Sequence, residues 1–285
     1  MNKTTYGVKA LTLLVVIGLV LGLASFSQPV STAQASSQIE LVGPAGSGQF
    51  GQVVLALPNG NLVVSDPGYD SDEAADVGAV YLYDGAALAL ISTLTGSTAD
   101  DRIGTKTLPL GKGNFITQSS TWDNDAAVDA GAVTWCSGVT GCSGAVSSSN
   151  SLVGSSSSDH VGEYMDYGLL TNGNYLVKSP YWDNDLIANA GAVTWCSGAS
   201  GCSGAVSPTN SLVGSTANDG VGYDPYPHAL DNTGDYFVPS YHWDNGTLVD
   251  AGALTFCHSG GGCVGPVTPQ NSLFGYAAGD SIMGV

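Results

Sequence analysis

The chain has 285 residues, 24 of them acidic and 6 basic, for a formal charge of −18. A surface of that sign repels nucleic acid and anionic lipid and attracts cations, so nucleic acid is excluded as a partner. Charged residues are only 11 % of the chain, and 40 Gly among many Ser, Thr, Asn and Val point to short strands and many turns, an all-β chain.

Lys3 and Lys9 precede an apolar run from Ala10 to Phe26, and a polar stretch then ends in Ala33-Gln34-Ala35. This is the layout of a secretory signal peptide over residues 1–35, with the small residues Ala33 and Ala35 at the third and first positions before a cut after Ala35. The rival is an uncleaved N-terminal anchor, for which 17 residues holding two Gly are short. No Cys follows the run, which argues against a lipid-anchored lipoprotein. Cleavage leaves 4 basic against 24 acidic residues on a chain expected to be secreted or at the cell surface, without membrane insertion.

Residues 36–285 read as one repeat domain, in units of about 38–90, 91–149, 150–209 and 210–270, with a partial fifth at 271–285. The landmark glycines are Gly78, Gly131, Gly191 and Gly252, at steps of 53, 60 and 61 residues. Each unit opens with a short apolar strand ending in Gly: Leu41-Val42-Gly43, Leu152-Val153-Gly154, Leu212-Val213-Gly214 and Leu273-Phe274-Gly275. A polar loop follows, in which Asp101, Asp159 and Asp219 each stand two residues before an apolar–Gly pair. Next comes a hairpin, turning at Pro58-Asn59-Gly60-Asn61 in the first unit and at Thr171-Asn172-Gly173-Asn174 in the third. Asn-Gly supplies the positive φ that a tight turn needs. Gly111-Lys112-Gly113-Asn114 and Asn232-Thr233-Gly234-Asp235 are its variants.

An aromatic residue and an acidic loop come next, then Gly-Ala-Val opens a third strand and a second Gly-Ala-Val a fourth. The expectation is tandem four-stranded antiparallel blades, β-propeller-like, as a partial or small ring; an elongated β-solenoid is the alternative. Tyr276 to Val285 read as the start of a further repeat, so either the chain is a fragment of a longer array or the strand Asn271 to Gly275 closes a ring beside the first unit.

The first unit, from Phe50-Gly51 through Pro58-Asn59-Gly60-Asn61 to Gly78-Ala79-Val80-Tyr81-Leu82-Tyr83, resembles the FG-GAP repeat of integrin-α-type propellers. The later units are similar to a bacterial Trp-Asp-Asn…Gly-Ala-Val-Thr-Trp repeat of uncharacterised function found in large secreted haemagglutinin-like and surface proteins. Together these resemblances cover about residues 38–285. They imply an extracellular, non-catalytic protein of adhesion or scaffolding. FG-GAP repeats often carry an Asp-rich calcium loop between their first two strands, and here only the Asn-Gly turn stands there.

Three constellations could carry chemistry. The acidic loop recurs as Asp70, Asp72, Asp76; Asp123, Asp125, Asp129; Asp183, Asp185, Asn189; and Asp244, Asn245, Asp250. Carboxylates two apart on a loop can converge on Ca²⁺ as a cofactor. Equally, Asp and Asn side chains there can cap turns by accepting hydrogen bonds from nearby amides, and both readings stand. The cysteines form three Cys-x5-Cys pairs, Cys136/Cys142, Cys196/Cys202 and Cys257/Cys263, expected as disulfides between two strands that pin each hairpin in an oxidising compartment. Trp122, Trp182 and Trp243, with Tyr69, share one repeat position. They read either as core anchors between blades or as sugar-stacking platforms.

Gly46-x-Gly48-x-x-Gly51 matches a dinucleotide fingerprint by letters, but no helix follows it. His160, His228, His242 and His258 fall at unrelated repeat positions, and no Ser has a placed base. The expected function is therefore non-catalytic: extracellular adhesion, surface structure or binding of an extracellular protein or glycan, with a carbohydrate-binding module using aromatic platforms as the alternative.

Overall fold

The computed structural model describes residues 40–164, 168–223, 228–230 and 233–282; the expected signal peptide lies outside them. Among the described residues there is no α-helix, only one 3-10 turn at Gly111–Gly113 and eighteen short strands. In chain order these are β1 (Val54–Ala56), β2 (Leu62–Asp66), β3 (Ala79–Tyr83), β4 (Leu90–Thr95), β5 (Lys106–Pro109), β6 (Phe115–Ser119), β7 (Ala132–Cys136), β8 (Gly144–Ala145) and β9 (Ser151–Val153). Then follow β10 (Tyr175–Ser179), β11 (Ala192–Cys196), β12 (Gly204–Ala205), β13 (Ser211–Val213), β14 (His228–Ala229), β15 (Tyr236–Ser240), β16 (Ala253–Cys257), β17 (Gly265–Pro266) and β18 (Ser272–Phe274).

They build four sheets: β1-β2-β3-β4-β8, β5-β6-β7-β9-β12, β10-β11-β13-β17 and β14-β15-β16-β18. Two features differ from the sequence expectation. The apolar strand ending in Gly, assigned to the start of a unit, instead closes the sheet before it: Leu152 pairs antiparallel with Val133, and Leu212 with Val193. The second Gly-Ala-Val, expected as a fourth antiparallel strand of its own unit, crosses to the preceding sheet and pairs in parallel, Gly144 with Leu94 and Gly204 with Leu152. Each sheet is thus stitched to the next by backbone as well as by packing. The trailing strand does not close a ring beside the first unit; Leu273 pairs with Leu254 in the fourth sheet.

The cores lie between successive sheets. Val63, Val80, Leu82 and Leu94 of the first sheet meet Phe115, Trp122, Cys136 and Val153 of the second. Ile116, Val133 and Leu152, on the other face of the second sheet, meet Tyr175, Val177 and Trp182. Successive side chains of a strand point to opposite faces, so Phe115 and Ile116 serve two different cores. Leu176, Val193 and Leu212 repeat the pattern against Tyr236, Val238 and Trp243. Full burial of one such side chain contributes roughly 1.5–3 kcal/mol.

The polar rungs repeat as well. Thr134 and Ser151 hydroxyls lie 2.6 Å apart, Thr194 and Ser211 2.7 Å, Thr255 and Ser272 2.7 Å. The landmark Gly131 has φ +75°, and a Cβ there would stand 2.3 Å from the Val161 amide nitrogen. Only Gly meets both demands.

Leu94, Leu152, Leu212 and Leu273 occupy one repeat position and are 0 %, 0 %, 1 % and 68 % exposed. The fourth sheet thus presents outward the apolar face that the next sheet covers in the other three.

Candidate functional site

In the acidic loops the first Asp of each unit accepts a backbone hydrogen bond from six residues on: Asp70 from Asp76 (2.8 Å), Asp123 from Asp129 (2.8 Å), Asp183 from Asn189 (2.7 Å) and Asp244 from Asp250 (2.9 Å). Asp76, Asp125, Asp129, Asp185, Asn189 and Asp250 have φ between +50° and +55°. Asp and Asn tolerate that left-handed conformation better than most residues, so the recurrent spacing follows from turn geometry. Asp72, Asp125 and Asp185 are exposed. Among the described residues no three carboxylate, imidazole or thiol groups converge to hold a metal ion. Asp76 and Asp100 both pair with Arg102, at 3.4 and 2.7 Å on the surface, where such pairs contribute little.

A second set of aspartates carries more of the structure. Asp101, Asp159 and Asp219 are 0 %, 0 % and 1 % exposed. Asp159 Oδ2 accepts from the amides of Ser155 and Ser156, both at 2.8 Å, while Oδ1 accepts from Asp183 N of the next acidic loop at 3.0 Å. Asp101 binds Ser97, Thr98 and Asp123 in the same way, and Asp219 binds Ser215, Thr216 and Asp244. Each ties one loop to the aromatic corner of the following unit. Burial pushes the Asp159 carboxyl above the usual carboxylate range, although its three amide donors pull it down.

The three cysteine pairs are disulfides: Cys136–Cys142, Cys196–Cys202 and Cys257–Cys263, with Cα separations of 4.9, 5.3 and 5.3 Å. Their setting corrects the expected strand-to-strand hairpin. Cys136, Cys196 and Cys257 end the third strands β7, β11 and β16, but Cys142, Cys202 and Cys263 stand in no strand. The second cysteine lies two residues before β8, β12 or β17, and β8 and β12 have left for the preceding sheet. Each bridge therefore ties a strand end to the loop that feeds the crossing strand. Cys142, Cys202 and Cys263 are only partly covered, packed against the three cores in which Cys136, Cys196 and Cys257 are buried.

The bridged turn is gripped by an Asn of the hairpin. Asn59 and Asn61 donate to the Gly138 carbonyl, and Asn114 donates to that of Gly198 while accepting from Gly138 N. Of the two expected positive φ angles in the Asn-Gly turn, only Gly60 has one (+91°). Asn59 is there to reach the next unit.

Trp122, Trp182 and Trp243 are 4 %, 3 % and 3 % exposed, inside the cores between sheets. They are anchors, and their faces are closed to a sugar. Tyr69 is half-buried and packs edge-on to Tyr81 at 6.4 Å. Trp135 is half-buried and donates its indole N–H to the Gly198 carbonyl at 3.1 Å.

Half-buried and exposed aromatics gather elsewhere, on loops of the second, third and fourth sheets. Tyr164 lies 6.1 Å from both Tyr181 and Tyr223, His160 is 6.2 Å from Tyr181, and His242 is 5.9 Å from Tyr223, centroid to centroid. The Tyr164 and Tyr181 hydroxyls are 3.1 Å apart, and that bond, more than burial, raises the Tyr164 phenol above its usual range. Two clefts flank Tyr181. One of about 170 Å³ is lined by Pro180, Tyr181, Asn189, Asn218, Gly220, Tyr223 and His242. The other, of about 360 Å³, is lined by Ser158, His160, Glu163, Tyr181 and Asn189. Asn189 Nδ2 donates to Asn218 Oδ1 at 3.2 Å, and His242 Nδ1 lies 3.1 Å from Asp250 Oδ1. Two histidines at unrelated repeat positions thus enter one cluster because the loops of adjacent units converge.

Residues 56–105, 109–163, 169–223 and 229–284 each match one repeat family, described as a repeat of unknown function, DUF5650. No curated protein matches the chain. The four matched segments follow the four sheets, each running from a hairpin to the loop after its fourth strand. The chain belongs to the DUF5650 repeat family and carries four tandem copies of its repeat.

Proposed function

We propose that this is an exported, non-catalytic repeat protein that displays a rigid acidic array for extracellular adhesion or partner recognition. The observation that carries the reading is the set of three identically placed disulfides, one in each of the last three repeats. Such bonds persist in oxidising compartments and are rare where thiols are kept reduced. Among the described residues no helix is long and apolar enough to cross a membrane. The likeness of the first unit to integrin-α-type repeats supports adhesion over an enzymatic role.

The test is fractionation of cells expressing the chain with and without residues 1–35, followed by non-reducing peptide mapping. The expected result is extracellular or surface-exposed protein with all six cysteines paired, dependent on residues 1–35. Cytoplasmic protein with free thiols would overturn the reading, as would hydrolysis of esters, glycans or peptides by the purified chain. Glycan recognition is the second reading, and the exposed tyrosine clefts are what favour it.

A further inference from the structure

We propose that the cleft between the third and fourth repeats binds a neutral saccharide. Tyr181 and Tyr223 provide the stacking surface, and Asn189, Asn218 and His242 the polar contacts. This rests on the reading of the chain as an extracellular recognition protein and names its ligand class.

The first support is departure from the repeat. One repeat earlier, the positions of Tyr181, Tyr223 and Tyr164 are held by Thr121, Glu163 and Lys106. That junction has the same Gly-Ala-Val strand, disulfide and buried Asp. The scaffold therefore does not need aromatics there, and rings added to a solvent-facing corner call for another explanation. Tyr223 is 48 % exposed, a large surface for a ring with no core to fill.

The second support is chemistry. Pyranose rings have an apolar face of C–H groups and a rim of hydroxyls. Binding sites for such ligands combine aromatic area with a few placed polar groups. Here the amide-to-amide bond leaves the Asn189 oxygen and Asn218 nitrogen for an outside donor and acceptor. With Asp250 holding His242 Nδ1, its second ring nitrogen is left for a ligand. Among the described residues no Lys or Arg lines either cleft, while Glu163 lines one and Asp250 adjoins the other. An anionic ligand would thus be repelled. The cleft volume of about 170 Å³ suits one sugar ring at a time, as expected for one residue of a longer chain.

The experiment titrates the purified chain with short neutral oligosaccharides in gluco-, manno- and galacto-configuration, followed by tyrosine fluorescence and NMR shift mapping. Parallel arms use an acidic oligosaccharide and tetramethylammonium. The expected result is saturable binding of at least one neutral series, weakened roughly tenfold in Tyr223→Ala and in Asn218→Gly, glycine keeping the left-handed backbone of that position (φ +67°). Thr105→Ala, at the place equivalent to Tyr223 two repeats earlier, should leave binding unchanged. Both target residues are exposed, so folding is retained and is checked by an unchanged melting midpoint. The proposal is overturned by no saturation with any neutral series, by binding that both variants leave intact, or by preference for tetramethylammonium or the acidic sugar. Such a failure leaves the exported, disulfide-bonded reading standing, because fractionation tests that separately.

Discussion

At the scale of single residues, the buried aspartates set the tightest constraint. Asp159 receives amides on both carboxylate oxygens, so neither an amide nor a methyl can replace it. Asparagine would turn an NH2 group toward amide donors, and alanine would leave three of them without a partner. Asp159→Ala and Asp159→Asn should each lose about 1–3 kcal/mol, read from urea unfolding. The pH dependence has a definite sign. The folded-state pKa of Asp159 is raised, so the folded chain holds that proton more tightly than the unfolded one. Its contribution is fullest below the unfolded carboxylate value and is lost as pH rises through the folded one. The stability gap between wild type and Asp159→Ala should therefore be widest in acid and narrow across that window. Unfolding curves over a pH series would show it, and a gap that widens with rising pH would contradict it. The spacing of Asp101, Asp159 and Asp219 is plain in the sequence, but their role is not, because the amide each one holds sits 22 to 25 residues further on.

At the scale of elements, one letter pattern served two purposes that sequence cannot separate. Asp-x-Asp-x3-Asp satisfies cation-ligand spacing, and it equally places small polar residues at left-handed turn positions. The structure uses it for the turn: one oxygen of each leading carboxylate is committed to an amide. The melting midpoint should thus be the same in chelator as in millimolar calcium, by calorimetry, and a rise with calcium would restore a cation site. The cysteine pairing was legible because six residues of separation around a Gly-rich turn leave few other partners. Where Cys142, Cys202 and Cys263 sit was not, because that depends on where the strand after each of them goes. Those parallel strands, β8, β12 and β17, have only two residues each and their partners lie in another unit, so no local pattern marks them. Replacing Cys136 and Cys142 together by Ser should cost roughly 2 kcal/mol in the loop-closure estimate. The sheets should survive, since the disulfide pins a turn and Cys136 is only one of twelve buried residues in the core between the first and second sheets. Far-ultraviolet circular dichroism with a lowered denaturation midpoint would show this, and loss of the strand signal would mean the bridges hold the fold itself.

Across the whole molecule, stability is the sum of sheets and the interfaces between them, as in other repeat arrays. The alternating apolar pattern of the strands was enough to anticipate stacked β units. It could not tell which faces would be covered, because Leu94, Leu152, Leu212 and Leu273 look alike in the sequence. Their exposures, 0 %, 0 %, 1 % and 68 %, separate them. Leu212 fills the core between the third and fourth sheets, so Leu212→Ala should cost about 2–5 kcal/mol. Leu273→Ala, on the open face, should stay within about 0.5 kcal/mol. The same asymmetry orders local opening. β15 and β16 pack on one face only, whereas β10 and β11 are clamped on both. Backbone amides of Tyr236, Phe237, Val238 and Ser240 should exchange with solvent faster than those of Tyr175–Ser179, although β15 has a strand on both sides and β10 lies at the edge of its sheet. Exchange followed by mass spectrometry separates the outcomes. Equal protection in both strands would mean that the outer face of the fourth sheet is covered in solution, and Leu273→Asp should then release it.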